Sequence, residues 1–123
     1  MRRRLLIVLT AGALLLTACG SDDAGPLLKD DSSQDTPDFS YVIPAGAGEL
    51  IDQGEPLDIL PREIGAQVGE LFELINLDDR GHLVGPFFVG AGETLRQRFS
   101  APGTFIGACS VHPSGEIVLT VVE

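Results

Sequence analysis

Three side chains in the C-terminal half of the chain have types and spacing suited to metal chemistry. Cys109 is followed three residues later by His112 in the stretch GACSVHPSGEI, and His82 lies 27 residues before Cys109. Two imidazoles and one thiolate form the ligand set of trigonal copper sites that transfer electrons. Each residue alone also fits an ordinary role, as a small buried thiol, a hydrogen-bonded buried histidine or a loop histidine. The combination favours a metal site.

The position of the second cysteine argues against a disulfide at Cys109. The chain begins MRRR, continues with a 12-residue apolar run at Leu5–Leu16 and then reads TAC, ending at Cys19. The run is too short to span a bilayer but suits a signal peptide. Leu16–Cys19 has the form of a lipobox, whose cysteine is lipidated after cleavage; an ordinary secretory signal cleaved nearby is the alternative. Cys109 would then be a lone thiol in an oxidising compartment. Such a thiol oxidises unless it is buried or bound, which is compatible with a thiol bound to a metal.

These features predict where the protein resides. We expect residues 1–18 to be a lipoprotein signal peptide and Cys19 to carry a lipid. The protein would be anchored to the cell membrane on its extracytoplasmic side, either periplasmic or extracellular.

The acidic composition restricts the choice of partners. The chain has 18 acidic and 8 basic residues and a formal net charge of −10. Removal of residues 1–18 takes away three arginines and no acid, which brings the charge to about −13. We therefore expect no nucleic-acid binding, because phosphate recognition needs clustered Lys and Arg. Anionic headgroups would be repelled, so that the lipid alone would hold the protein at the membrane. A basic protein partner is compatible with this charge.

The rest of the chain divides into a linker and one domain. Residues 19–38 are polar, acidic and contain Pro, Gly and Ser, which predicts a disordered tether. Residues 39–123 contain short β-prone runs separated by turn residues, with no sustained helical stripe. This texture predicts an all-β sandwich or barrel. The expected strands are near 39–43, 57–60, 63–68, 71–77, 83–84, 87–89, 94–99, 104–106 and 116–122.

One stretch of this domain resembles a known family. Asn76–Val122 reads NLDDRGHLVGPFFVGAGETLRQRFSAPGTFIGACSVHPSGEIVLTVV. A strand ending in N-x-D before a histidine, then AGET, PGTF and Cys-x-x-His-Pro-Ser in this order, is similar to the cupredoxins, the small secreted blue-copper proteins. The likeness is looser over Tyr41–Leu77 and does not include the two leading segments. It implies a Greek-key β-sandwich or barrel of about seven to eight strands.

The resemblance also implies a copper site with one departure from the family pattern. One copper ion would be held by His82, Cys109 and His112, with His112 near the surface as the electron exit. Many members add an axial methionine, at the position of Gly115 or Ile117 here, but the only methionine in the chain is Met1. The open alternatives are a Gly81 carbonyl as a weak axial contact, Ile117 filling the axial side without donating, and Glu116 as an oxygen ligand. Loss of a weak donor would destabilise Cu(II) relative to Cu(I).

The predicted function is electron transfer by a membrane-anchored copper protein with a redox protein as partner. The chain has no HExxH, P-loop, GxGxxG or nucleophile-elbow motif, so we do not expect an enzyme. Two alternatives remain: a surface carrier or scavenger of Cu(I), and an interaction module of the same fold that has lost its metal.

Overall fold

The computed structural model describes residues 28–123; the predicted signal peptide and Cys19 lie outside this range. Nearly all of its regular structure is β-strand, so the predicted all-β class is confirmed. The elements, in chain order, are β1 (Leu28–Asp30), β2 (Phe39–Ile43), α1 (Ala47–Asp52), β3 (Glu63–Gln67), β4 (Leu71–Asn76), β5 (His82–Val84), β6 (Phe87–Val89), β7 (Thr94–Phe99), β8 (Gly103–Ala108) and β9 (Glu116–Val122).

The strands form two mixed sheets and a small hairpin. One sheet has the order β1-β7-β4-β2, and the other has the order β3-β9-β8. Within them β2 is parallel to β4 and β3 is parallel to β9, whereas the remaining pairs are antiparallel. Strands β5 and β6 form the separate two-stranded hairpin. Neighbours in the sheets are therefore often distant in sequence, as in a sandwich with crossover connections.

Alternation of side chains along the strands builds the core between the sheets. In β9, Ile117, Leu119 and Val121 are buried, while Thr120 and Val122 are exposed. This two-residue period is the one that places successive side chains on opposite faces of a sheet. The hairpin contributes to the same core through Val84, Phe87 and Val89, which are each at most 2% exposed.

An aromatic stack fixes the hairpin against the first sheet. Phe72 of β4 and Phe87 of β6 lie face to face, with ring centroids 4.5 Å apart and an interplanar angle of 6°. Both rings are buried, and Phe72 also meets the ring of Phe99 in β7. Because β5 is paired with β6, this stack also determines where His82 sits.

Three elements differ from the sequence-based expectation. The strand expected at 57–60 does not form, because Pro56 and Pro61 border this short run and a proline has no N–H to donate to a sheet. Helix α1 was not expected, since its six residues are too few to show a helical period. The described part of the expected linker, 28–38, is held against the domain: β1 pairs with β7, and Asp31 and Asp35 form ion pairs with Arg98. The physical reason is charge, because an acidic segment meets one of the few basic side chains.

None of the helical structure in residues 28–123 has the length and hydropathy to cross a membrane.

Candidate metal centre

Backbone pairing brings the two segments that carry the candidate ligands side by side. Val84 forms an isolated antiparallel bridge with Cys109. On either side of this bridge, the Gly85 N–H donates to the Ala108 carbonyl at 2.8 Å and the Ser110 N–H donates to the Leu83 carbonyl at 2.9 Å. Strand β5, which begins at His82, therefore runs along the start of the β8–β9 loop. Residues far apart in sequence become neighbours here.

His82 is buried and hydrogen-bonded at both ring nitrogens. Its Nε2 lies 2.8 Å from Oδ2 of Asp78, and its Nδ1 lies 3.3 Å from Oγ of Ser110. The His82 side chain is 2% exposed and that of Asp78 is 1% exposed. The hydrogen bond from His82, with those from backbone N–H groups, holds the pKa of Asp78 well below its usual range, so the carboxylate is ionised. An ionised carboxylate only accepts hydrogen bonds, which places a ring hydrogen on Nε2.

Cys109 is a buried free thiol in the segment that pairs with the strand of His82. It is 2% exposed and unpaired among the described cysteines. Burial raises the pKa of the thiol, and a hydrogen bond from the Val111 backbone opposes this in part. Metal coordination by a thiol releases its proton, so a bound cation would have to displace that proton.

His112 lies closer to solvent and is held by its own loop. Its side chain is 16% exposed. Its Nδ1 accepts the Ser114 N–H at 3.0 Å and lies 2.7 Å from Oγ of Ser114. The Gly115 N–H donates to the His112 carbonyl at 2.9 Å, which closes the turn. The ring borders a shallow groove that Ile51, Leu57 and Pro113 also line.

The candidate axial residues are placed differently from one another. Ile117 is 1% exposed and faces the core. Its neighbour Glu116 lies on the other face of β9, where its carboxylate pairs with Arg62. Gly81 is exposed and covered on one side by the ring of Phe88, whose Cζ would lie 2.5 Å from a Cβ at this glycine. Among these three residues, Ile117 faces inward and Glu116 is already engaged elsewhere.

The donor chemistry fits copper, but the donors do not converge. Two imidazoles and a thiol are the ligands that copper accepts in trigonal sites, and Nδ1 of His82 lies 3.3 Å from Ser110 in the loop that carries Cys109. Within residues 28–123, however, no three His, Cys, Asp or Glu side chains are grouped closely enough to hold a metal ion. In this arrangement Nδ1 of His112 is engaged by Ser114 of its own loop.

Sequence reasoning missed two residues that shape this region. Asp78 is the last residue of the N-x-D motif, but the sequence analysis predicted no contact between it and His82. An aspartate four residues before a histidine is the signal that could have revealed the pair. Asn76 is fully buried, and its Nδ2 donates to the carbonyls of Arg80 at 2.8 Å and Gly90 at 2.9 Å. Its Oδ1 accepts the Asp78 N–H at 3.0 Å. The N-x-D motif includes this asparagine, but its hydrogen bonds to the carbonyls of Arg80 and Gly90 depend on the tertiary structure.

Comparisons with known proteins give structural likeness only. No protein-family model matches the chain, and no curated protein matches it. Amicyanin from Paracoccus versutus superposes with a TM-score of 0.48 and 16% identity, covering 79% of this chain and 99% of amicyanin. A purple cupredoxin from Nitrosopumilus maritimus gives 0.43 and 22%, covering 68% of this chain and 99% of that one. A copper-containing nitrite reductase from Thermus scotoductus gives 0.44 and 20%, covering 77% of this chain and 25% of that enzyme.

Proposed function

We propose that the protein binds one copper ion through His82, Cys109 and His112 and transfers electrons, rather than catalysing a reaction. The observation that supports this most is the orientation of His82. Its Nε2 is anchored on buried Asp78, and its Nδ1 is turned to the loop of Cys109 and His112, with Ser110 at 3.3 Å. A histidine whose second nitrogen is fixed by a carboxylate is the usual arrangement for a metal ligand.

The remaining two ligands have complementary positions in this proposal. Cys109 is buried and would supply the soft sulfur donor. His112 is partly exposed and would supply the path by which electrons reach a protein partner at the surface. Coordination through Nδ1 would require His112 to leave its contacts with Ser114, whereas Nε2 lies outside these contacts. When bound, copper would supply a one-electron redox couple.

A copper titration tests the proposal. Addition of Cu(II) to the purified protein should produce an intense thiolate-to-copper band in the visible range, at about 600 nm for a blue-copper site. Cys109→Ser should abolish the band, because serine cannot provide the sulfur charge transfer. Ser100→Ala, a serine nine residues earlier in the chain, serves as the control and should retain it. Absence of any charge-transfer band in the unaltered protein would exclude the electron-transfer function.

A Cu(I) carrier is the second candidate. It is favoured by the inward position of apolar Ile117 and by the engagement of Glu116 with Arg62, since neither offers the hard oxygen donor that stabilises Cu(II). Voltammetry separates the two functions: a carrier should bind Cu(I) tightly without a reversible couple in a useful range.

A metal-free interaction module is the remaining alternative. A ligand that binds only the folded state must stabilise it. A copper-dependent rise in melting temperature, absent in Cys109→Ser, would therefore exclude this module.

We also propose that Cys19 is lipidated and anchors the domain outside the cytoplasm, where a redox protein can reach it. Support comes from the basic, apolar and small residues that precede Cys19. Metabolic labelling with palmitate should mark the protein and should fail in Cys19→Ala. An unlabelled native protein would refute the anchor without affecting the copper proposal.

A further inference from the structure

The carboxylate of Asp78 accepts three hydrogen bonds, and only one of them comes from a candidate metal ligand. Its Oδ1 accepts the Gly46 N–H at 3.1 Å. Its Oδ2 accepts both the Gly48 N–H and the Nε2–H of His82, each at 2.8 Å. The two glycine amides lie at the start of α1, so Asp78 connects this short helix to the histidine.

The loop that carries Asp78 is fixed on both sides. The Asp78 N–H is held by Asn76 at 3.0 Å. The side chain of Arg80 packs over Gly48, where a Cβ would lie only 2.1 Å from Arg80 Nε. From there the guanidinium makes two hydrogen bonds to Asp52, at 3.1 and 3.0 Å. The carboxylate therefore cannot turn away from His82 without breaking several contacts, and the imidazole ring is fixed with it.

The negative charge of Asp78 is placed where solvent screens it little. Both partners of the pair are at most 2% exposed, and charge interactions are stronger in such surroundings than in water. Arg80, the nearest basic residue in the chain, directs its guanidinium to Asp52 instead. A carboxylate that served only to accept hydrogen bonds from the Gly46 and Gly48 N–H groups would not need its third contact, with His82.

We propose that Asp78 is a positioning residue for His82. It keeps the ring proton on Nε2, so that Nδ1 carries the lone pair offered to the metal, and it fixes a negative charge behind that ligand. The contact with Asp78 by itself places a proton on Nε2. The bare Nδ1 belongs to the proposal, because the Ser110 hydroxyl lies within reach of both Nδ1 and the Leu83 carbonyl. The effect of the charge on the metal rests on the proposed copper function.

The first test needs neither copper nor a variant of Asp78. A two-bond 1H–15N correlation spectrum of the metal-free protein reports which nitrogen of each histidine carries the proton. His82 should show the proton on Nε2, and this proton should exchange slowly because it is buried. The chain has one other histidine, so His112→Gln assigns the signals. A proton on Nδ1 of His82, with a bare Nε2, would overturn the proposal whatever the protein does with copper.

The second test compares two neighbouring acids in the copper-loaded protein. Asp78→Asn keeps the size of the side chain but removes its charge, and copper affinity should fall by about 10- to 100-fold. If Cu(II) loses about tenfold more affinity than Cu(I), the potential rises by about 59 mV, the one-electron equivalent of a tenfold change. Asp79→Asn makes the same change of net charge at an exposed position and should leave both quantities unchanged.

The outcomes of the two tests separate the proposals. Equal shifts in Asp78→Asn and Asp79→Asn would refute the role of the placed charge, since net charge would then suffice. Circular dichroism checks that both variants fold. If the native protein binds no copper, the proposed function fails, and the NMR result alone decides whether Asp78 positions His82. If Asp78→Asn does not fold, that spectrum still decides the proton placement.

Discussion

At the scale of single residues, the candidate site depends on side chains that are not themselves candidate ligands. Asp78 holds the ring of His82, and Asn76 holds the loop between them. The candidate ligands supply the chemistry that the sequence predicts, whereas these two residues determine which atoms face one another. Their substitution should therefore alter the region as strongly as substitution of a candidate ligand.

Replacement of Asn76 tests this at the level of stability. Asn76→Ala leaves the Arg80 and Gly90 carbonyls without their buried donor, so the free energy of unfolding should fall by about 2–4 kcal/mol. Asn76→Asp should cost more at neutral pH, because a carboxylate would face those same two carbonyls.

Urea denaturation measures both variants, with Gln67→Glu as the control that exchanges an amide for a carboxylate on the exposed face of β3. If Asn76→Asp proved as stable as the native protein, the assigned hydrogen bonds would be wrong.

At the scale of elements, the β5–β6 hairpin is the part that determines the site. It carries His82, stacks on β4 through Phe87 and runs beside the Cys109 segment. Its turn contains Gly85, which has a φ of +57°. A Cβ at Gly85 would lie 2.7 Å from Cγ2 of Ile117. The turn is therefore constrained by backbone conformation and by packing together.

Gly85→Ala should accordingly destabilise the protein through two effects. The left-handed conformation costs about 1–2 kcal/mol for a non-glycine residue, and overpacking against Ile117 adds about 1–3 kcal/mol. Gly92→Ala is the matched control, since Gly92 has a φ of +69° but no atom within 4 Å of its Cβ position.

Thermal unfolding of the two variants should show a distinctly larger loss for Gly85→Ala. Equal losses would mean that the packing against Ile117 has no effect.

At the scale of the whole molecule, charge holds the N-terminal segment to the domain. Arg98 forms ion pairs with Asp31 at 2.6 Å and with Asp35 at 2.9 Å, and Arg96 donates to the Asp35 carbonyl. Hydrogen bonds from Ser33 and Arg98 lower the pKa of Asp31 to about 2. A chain with 18 acids and 8 bases has few cations, and two of them serve this contact.

The lowered pKa of Asp31 predicts how the stability of the protein depends on pH. The pKa of Asp31 is about 2 in the folded state and about 3.9 when unperturbed, so its contribution is present above about pH 4 and lost as the pH falls towards 2. Asp31→Asn should be less stable than the native protein at pH 6, and the difference should shrink strongly by pH 2 and disappear below it. High salt should also reduce the difference, because the pair lies near the surface.

Unfolding curves at the two pH values measure this effect. Glu49→Gln, the same charge change at an exposed site on α1, should not reproduce it. A difference that persists unchanged at pH 2 would contradict the assigned ion pair.

The sequence by itself determined the class of fold and the identity of the candidate donors. Alternation and turn residues located the strands from β2 to β9, because a half-buried strand shows its period locally. The same pattern also predicted a strand at 57–60, which does not form. Counting was enough to exclude a methionine ligand. The six-residue helix and the β1 contact were missed, since neither produces a local period: one is too short, and the other depends on Arg98 being near in space.

Only the tertiary structure decided which of these residues meet. The bridge from Val84 to Cys109 joins segments 25 residues apart, and the approach of Asp78 to His82 depends on a loop held by Asn76 and Arg80. The same structure keeps His112 on Ser114, apart from the other candidate ligands. Residue type sets which atoms can donate to a metal, but their distances result from long-range pairing and packing, which no local pattern records.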